Sequence, residues 1–489
     1  MKLLKNFVSL SVAEGVSKVV TFAAFAYVAH IAGPGGMGYV EFAAAAFLCA
    51  GLVVDLGFNP YGAREIARAP ERTGQLVSEI VVARLFLAVF ACLILAAMAL
   101  WLDRAPVERR LLLLYGLSLL PMPLLLQWVF QGHELMGIVG ISTVIRQTVF
   151  AVVVFATVRA PDWIWLVAAG EVAGVCCAAL YLFHTYRRRF GFAVILRTRL
   201  SRKLFREGLP IGLAQFFWAA RIIGGTLILG FVATTHEVGL YGSAQRILVA
   251  LHTFVWLYFF NLLPSLSRAW RQDRSSFADI VDRSLRLVVW VAVGAAVLGV
   301  LLAGRAMTLA YGASFAPGGP ILQCFAGVCL ISAISGHYRF GLIAAGRQTS
   351  EMVTAAIGAL FAIVLIPLGY FRAGPSGAAV GLLVAETAVW ASAWWYGRRV
   401  LAMRGHAWHL LRPFAAGGLV LGLAAWVPLS SDLARAAISA AVFALLAFVS
   451  DAAMREAGRG ALAALRTARG PRAHERLSET IGSTTDGSR

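Results

Sequence analysis

The chain has 489 residues, 60% apolar and only 14% charged, with a net charge of +19. A soluble domain carries about 25% charged and 45–50% apolar residues, so this composition excludes a single aqueous core. The basic excess sits in short segments between apolar blocks, without zinc-finger spacing or a recognition-helix context. It reads as membrane topology and not as a nucleic-acid surface.

Apolar blocks long enough to cross a ~30 Å hydrocarbon layer predict spans at about 8–32, 38–61, 78–101, 111–131, 137–158, 162–184 and 208–233. The series continues at about 238–262, 286–303, 319–343, 351–371, 376–397, 411–428 and 435–452. The fold class is therefore an all-α polytopic membrane protein of about fourteen helices. Lipid cannot satisfy free backbone groups, and the period-2 alternation of a membrane barrel is absent. The first apolar run follows Lys2 and Lys5 and reaches Ile31. It is too long for a signal h-region and reads as the first span. The six cysteines (Cys49, Cys92, Cys176, Cys177, Cys324 and Cys329) all lie in apolar blocks and read as small core residues, with no metal site and no disulfide framework.

With the N-terminus in the cytoplasm, the cytoplasmic segments hold 29 Lys/Arg and the opposite loops 6, the other eight lying within spans. This bias places both termini inside. The longest internal segment, Thr185–Glu207, contains Arg187, Arg188, Arg189, Arg197, Arg199, Arg202, Lys203 and Arg206. It is a topology anchor or a contact for anionic headgroups. It divides the chain into an N-terminal six-helix bundle (1–184), a basic linker (185–207) and a C-terminal six-helix bundle (208–397). Two additional helices (398–452) and a basic cytoplasmic tail (453–489) follow. A shift of 201 residues brings Glu14 onto Gln215, Gly38 onto Gly239, Ala43 onto Ala244 and Val54 onto Val255. The halves thus read as parallel repeats, an arrangement in which transporters carry substrate between the two.

No phosphate-loop motif is present, so no internal ATPase and no cofactor is expected. Gly33-Pro34-Gly35-Gly36-Met37-Gly38 has dinucleotide-loop spacing but joins two membrane helices, and reads as a turn. The short outer loops leave little room for a catalytic domain. Charges inside spans are the informative residues, because each costs roughly 2.5–3.5 kcal/mol at mid-bilayer and faces a wet cavity or a partner. Arg221, Arg246, Lys18 and Arg146 are the candidate cavity cations. Glu14, Asp55 and His252 are candidates for ion coupling. Glu14 and Lys18 share a helix face and could neutralise each other. Arg221 has no acid at pairing distance on its own helix, Arg246 could snorkel, and Glu171 and Glu386 read as further interior acids. Arg84, Arg286, Arg339 and Arg435 lie near span ends and read as headgroup anchors. Midplane cations suit an anionic substrate, and arginine binds diphosphate with paired donors.

Four segments resemble a known family: Asp55-Leu56-Gly57-Phe58-Asn59-Pro60-Tyr61-Gly62-Ala63-Arg64-Glu65-Ile66-Ala67-Arg68, Gln127-Trp128-Val129-Phe130-Gln131-Gly132-His133-Glu134-Leu135-Met136, Gly239-Leu240-Tyr241-Gly242-Ser243-Ala244-Gln245-Arg246-Ile247, and Tyr311-Gly312 with Phe315. In order and placement they are similar to the Wzx-type polysaccharide-transporter flippases of the MOP superfamily. The resemblance implies a V-shaped pair of six-helix bundles plus two helices in a bacterial inner membrane. It implies alternating-access export of undecaprenyl-diphosphate-linked oligosaccharide for O-antigen, capsule or exopolysaccharide, without enzymatic activity. Membrane lipids, a polysaccharide polymerase and chain-length proteins would be the partners. The alternatives are a lipid-II flippase, a MATE-like small-molecule antiporter, a membrane polymerase and an assembly scaffold.

Overall fold

The computed structural model describes residues 2–101, 103–191, 195, 200–401, 407–427, 431–451 and 454–456, with side chains from Glu14 onward except at 407 and 408. The linker residues Arg197 and Arg199 and the tail beyond 456 lie outside the described residues. The helices are α1 (Lys2–Asp55), α2 (Phe58–Arg68), α3 (Thr73–Trp101), α4 (Pro106–Leu119), α5 (Gln127–Gly132), α6 (Met136–Thr157), α7 (Leu166–Phe190) and α8 (Arg202–Ile222). After them come α9 (Gly224–Val232), α10 (Thr235–Gln272), α11 (Arg274–Tyr311), α12 (Gly319–Ala344), α13 (Gln348–Val400), α14 (Ala407–Trp426) and α15 (Asp432–Ser450). The described residues contain no strand.

Length shows that α1 and α13 are not single rods. A straight helix of α1's 54 residues would measure ~80 Å. The chain instead breaks at Gly33 (φ 62°), ahead of Pro34, and at Ala373–Gly374, ahead of Pro375. Both helices fold back on themselves. Phe25 and Glu41, placed symmetrically about Gly33, meet the same Arg246 guanidinium. A Cβ added at Gly369 would lie 2.1 Å from the Gly377 carbonyl oxygen. Eleven described helices are long and apolar enough to span a membrane, or twelve when α8 and α9, bent by 54°, count as one. Opening the two hairpins brings the crossings to fourteen.

Local chemistry explains the ends. Thr234 and Glu237 form a capping box at the start of α10, each side chain taking the other's backbone N–H. Asp273 caps α11 by accepting from the backbone N–H groups of Ser275 (3.0 Å) and Ser276 (3.1 Å). Three predicted spans carry local breaks. In the second, Leu56 and Gly57 turn left-handed (φ 44° and 78°) between α1 and α2. The fourth is interrupted where Pro121 and Pro123 prevent continuation between α4 and α5. The seventh breaks at Ile223, ahead of Gly224 and Gly225.

The packing divides unevenly between the two ends of the molecule. At the end bearing the Gly33 and Gly374 turns, one continuous core draws on both halves. It includes Val28, Val40 and Phe47 of α1, Leu240 and Tyr241 of α10, and Leu382 of α13. At the opposite end there are two separate cores. One is built around Phe58, Trp128 and Tyr186, the other around Val281, Trp290 and Tyr338. The halves are therefore joined by a shared core at one end, while at the other their cores part and α8 meets α2.

The 201-residue repeat is realised at the joined end. A Cβ on Gly38 would fall 1.8 Å from the Thr235 carbonyl oxygen, and a Cβ on Gly239 would fall 1.9 Å from the Pro34 carbonyl oxygen. Gly38 maps to Gly239 and Pro34 to Thr235 under the same shift, so the two contacts are copies related by a pseudo-two-fold axis. Glycine permits this backbone approach, the usual way membrane helices gain packing energy where lipid supplies no hydrophobic drive.

The helices α14 and α15 pack on α11. Phe443 lies over Trp290 (ring centroids 5.6 Å apart), and Asp451 accepts from Arg286 Nε and Trp290 Nε1, both at 3.1 Å. Arg286 is thus not a headgroup anchor but part of the clasp that fastens the last two helices. The same correction applies to Arg84, which is buried at 1% exposure and shared between Asp55 and Asn59. It applies also to Arg339, which donates to Glu351 from Nε (3.1 Å) and Nη2 (2.5 Å). Arg435 faces Asp432 in the first turn of α15, at 3.8 Å.

Candidate functional site between the two halves

The candidate site lies where the joined end gives way to the cleft. The α1 hairpin presents Phe25 on one arm and Glu41 on the other. Arg246 of α10 reaches between them, its Nε donating to Glu41 Oε1 and its guanidinium carbon 3.3 Å from the Phe25 ring centroid. This ion pair crosses from one half to the other. A second pair stays within the N-terminal half, where Arg146 of α6 donates from Nε (3.0 Å) and from Nη2 to Glu171 Oε1 of α7. Neighbouring Gln147 accepts from Thr21 Oγ1 at 2.8 Å. The side chains of Arg146 and Arg246 keep 26% and 22% exposure. Each guanidinium has five donors and spends at most two on its carboxylate, so donors remain for an incoming anion.

The other predicted residues are placed differently. Arg221 is fully buried against Glu386 of α13, both at 0% exposure, with Gly358 pressed on its side chain. It does not stand in the cleft; a partner on a distant helix, out of sight in a one-helix reading, takes its charge. Lys18 and Glu14 are exposed on the first arm of α1 toward the parted end. No ion pair within 4 Å joins them to each other or to another described residue. Asp55 closes the end of the α1 hairpin, accepting from Asn59 N at 3.3 Å with Arg84 Nη2 at 3.8 Å. His252 is buried, and its Nε2 lies 2.7 Å from Ser332 Oγ of α12. Arg146 and Arg246 thus keep partial exposure in their ion pairs, whereas Arg221, Asp55 and His252 are buried against other partners.

Sequence reasoning passed over Glu41. It lies in the apolar run of the second span, three residues after Gly38. The signal was available: an acid inside an apolar span demands a partner, and the 201-residue shift places Gly242 opposite it, the residue whose added Cβ would meet the Glu41 side chain at 2.6 Å.

Two seams flank the cleft, and they differ. Along the seam between the second arm of α1 and α8–α9, Phe42 stacks edge-on against Phe231 at 5.3 Å, Arg104 Nη1 donates to the Gly230 carbonyl at 2.9 Å, and Gly57 abuts the backbone of Gly208 and Gly212. Toward the parted end, side chains are exposed on both the first arm of α1 and α10. Val16, Lys18 and Val19 stand on α1, and Leu251, Phe254, Trp256 and Phe260 on α10.

Residues 3–270 match the family described as polysaccharide biosynthesis protein. The chain belongs to that family. Among its relatives is the Escherichia coli (strain K12) protein named "Putative O-antigen transporter", 20% identical over 400 residues, covering 80% of this chain and 95% of the relative. The stage V sporulation protein B of Bacillus subtilis (strain 168) is 24% identical over 401 residues, covering 74% of this chain and 77% of the relative. Among solved structures, the lipid II flippase MurJ in an inward closed conformation superposes with a TM-score of 0.66 at 13% identity, over 90% of this chain and 98% of that one. An inward-facing multidrug resistance MATE family transporter of the MOP superfamily gives 0.62 at 14% identity, over 81% and 98%. The chain thus shares the membrane-spanning fold of these two solved proteins.

Proposed function

We propose that this protein flips a lipid-linked oligosaccharide, with an undecaprenyl-diphosphate anchor, from the cytoplasmic to the outer leaflet of a bacterial inner membrane. The observation that carries the reading is the uneven packing of the halves around two ion pairs. One shared core closes one end, two separate cores leave the other open, and Arg146 and Arg246 stand at the junction. The parted end is the one bearing the Arg187–Arg189 and Arg202–Arg206 segments, which the positive-inside rule places in the cytoplasm. Both termini then lie inside, and the described conformation faces inward.

A diphosphate head entering from the inner leaflet would meet Lys18 first and the two arginines next. Guanidinium groups suit it because they offer paired, planar donors to phosphate oxygens. The seam between α1 and α10 supports lateral entry with the polyprenyl tail left in lipid, since its exposed side chains are largely apolar. The zipped seam at α8–α9 offers no such path. A head of about two negative charges gains roughly 2.3 kcal/mol per charge per 100 mV on moving outward, which favours export unless protein cations travel with it. Polymerase and chain-length partners belong to the same reading. The names of the O-antigen relatives and the lipid II flippase fold support it.

Competition in proteoliposomes tests the choice of substrate. Unlabelled undecaprenyl-diphosphate oligosaccharide should slow leaflet exchange of the labelled lipid, while drug cations should not. Efficient inhibition by drug cations, with counterflow of a labelled cation, would shift the reading to a small-molecule antiporter.

A further inference from the structure

The Glu41–Arg246 pair has a position that no role in substrate recognition alone requires. Glu41 belongs to the N-terminal half and Arg246 to the C-terminal half, so the pair spans the junction that must open to release cargo outside. Glu41 sits one turn and Arg246 two turns from the glycine crossing of Gly38 on Thr235 and Gly239 on Pro34, and Gly242 packs directly on the Glu41 side chain. Arg146–Glu171 lies within one half, and Arg221–Glu386 is sealed within the other. The remaining described ion pairs that join the halves, Arg64–Glu207 and Lys203–Glu65, lie at the parted end. At the joined end, a carboxylate therefore bridges the halves by holding the very arginine best placed to receive an anion.

We infer that Glu41 is a latch: it holds Arg246 across the junction in the unloaded inward-facing state, and the substrate's diphosphate replaces it, releasing the outer end to open. The inference rests on the flippase reading for the identity of the displacing anion. The chemistry is a counter-ion exchange in which no covalent bond changes. Two phosphate groups offer Arg246 more acceptor oxygens and more negative charge than one carboxylate. Once displaced, Glu41 faces a like-charged head, which drives it from its seat on Gly242 and removes the strut beside the glycine crossing. Glu41 is thus a positioning residue, acting through Arg246. One arginine serves both recognition and gating, so an empty carrier stays closed outside and a loaded one is freed to turn.

The test uses the full chain in nanodiscs, with its six cysteines replaced by serine and spin labels at two exposed positions of the joined end, Arg159→Cys in the loop after α6 and His236→Cys in the first turn of α10. Pulsed dipolar spectroscopy reads the distance distribution with and without undecaprenyl diphosphate as the probe. The unloaded protein should give one short distance, and the probe should add a longer one. Glu41→Gln should raise the longer population by roughly 5- to 150-fold without any probe, the range expected of a coupling between sites. Glu41→Asp should restore most of the closed state. Arg246→Gln should open the label pair as Glu41→Gln does and then ignore the probe. A closed Glu41→Gln variant would overturn the latch. So would a wild-type protein that flips the diphosphate lipid while the unlatched and latched forms respond to it alike. Absence of flipping by the wild type would count against the flippase reading instead, and the probe-free Glu41→Gln distances would still judge the latch.

Discussion

Replacing Arg221 with alanine removes one member of a pair that is sealed from water, both side chains being at 0% exposure. Glu386 would be left as an unpaired buried carboxylate between α8 and α13. Breaking a buried pair in this way costs about 3–5 kcal/mol, whereas replacing both members with apolar groups of similar volume is often neutral or stabilising. Arg221→Ala should therefore lower the thermal midpoint of the detergent-solubilised protein and reduce its yield in the membrane. The double variant Arg221→Met with Glu386→Leu should recover both. Leaflet exchange per inserted molecule separates a structural pair from a cavity cation. With the pair structural, the double variant flips within about threefold of wild type. A double variant that folds and inserts normally but fails to flip would refute this reasoning and return Arg221 to the substrate path.

Other perturbations give distinct readouts. Arg246→Ala removes a charge-assisted contact worth about 1.5–3 kcal/mol, so the apparent affinity for the lipid-linked diphosphate should fall roughly 10- to 150-fold; the concentration dependence of initial exchange rates measures it. Gly239→Val should force the α1–α10 crossing apart, because even a Cβ would sit 1.9 Å from the Pro34 carbonyl oxygen. Overpacking of this kind costs about 1–3 kcal/mol, and labelling of a cysteine at the cleft apex from the outside should rise accordingly. Hydrogen bonds from the Ser275 side chain, and from the Ser275 and Ser276 backbone N–H groups, hold the Asp273 carboxyl well below the usual carboxylate range. With the folded-state value depressed, its cap on α11 is fully present above the unfolded value near 4 and is lost as pH falls through the folded one. Hydrogen exchange at Phe277 and Ala278 should therefore stay slow until strongly acid pH. Asp273→Asn should remove that dependence.

Much of the architecture is legible from single-span chemistry. Block length predicts the long apolar helices that the structure shows, because lipid imposes length and backbone satisfaction on every span. The 201-residue shift anticipates the glycine crossing, since Gly38 and Gly239 are matched in sequence before they meet in space. What sequence leaves hidden are partners on other helices. Arg221 looks unpaired until α13 returns Glu386 beside it, 165 positions along. Arg84 and Arg286 look like interfacial anchors until Asp55 and Asp451 arrive from elsewhere. Glu41 is an acid inside an apolar run and so demands a partner, but only the folded chain shows that the partner is Arg246.

The most direct test is leaflet exchange itself. Purified protein goes into liposomes carrying a labelled undecaprenyl-diphosphate oligosaccharide in one leaflet, and a membrane-impermeant glycan-modifying reagent reports what remains protected over time. The account predicts that the protein makes the protected pool accessible within minutes, faster with a potential that drives the anionic head toward the reagent, while protein-free vesicles keep it protected. A protected pool that stays protected with well-inserted protein, under either sign of potential, would contradict it.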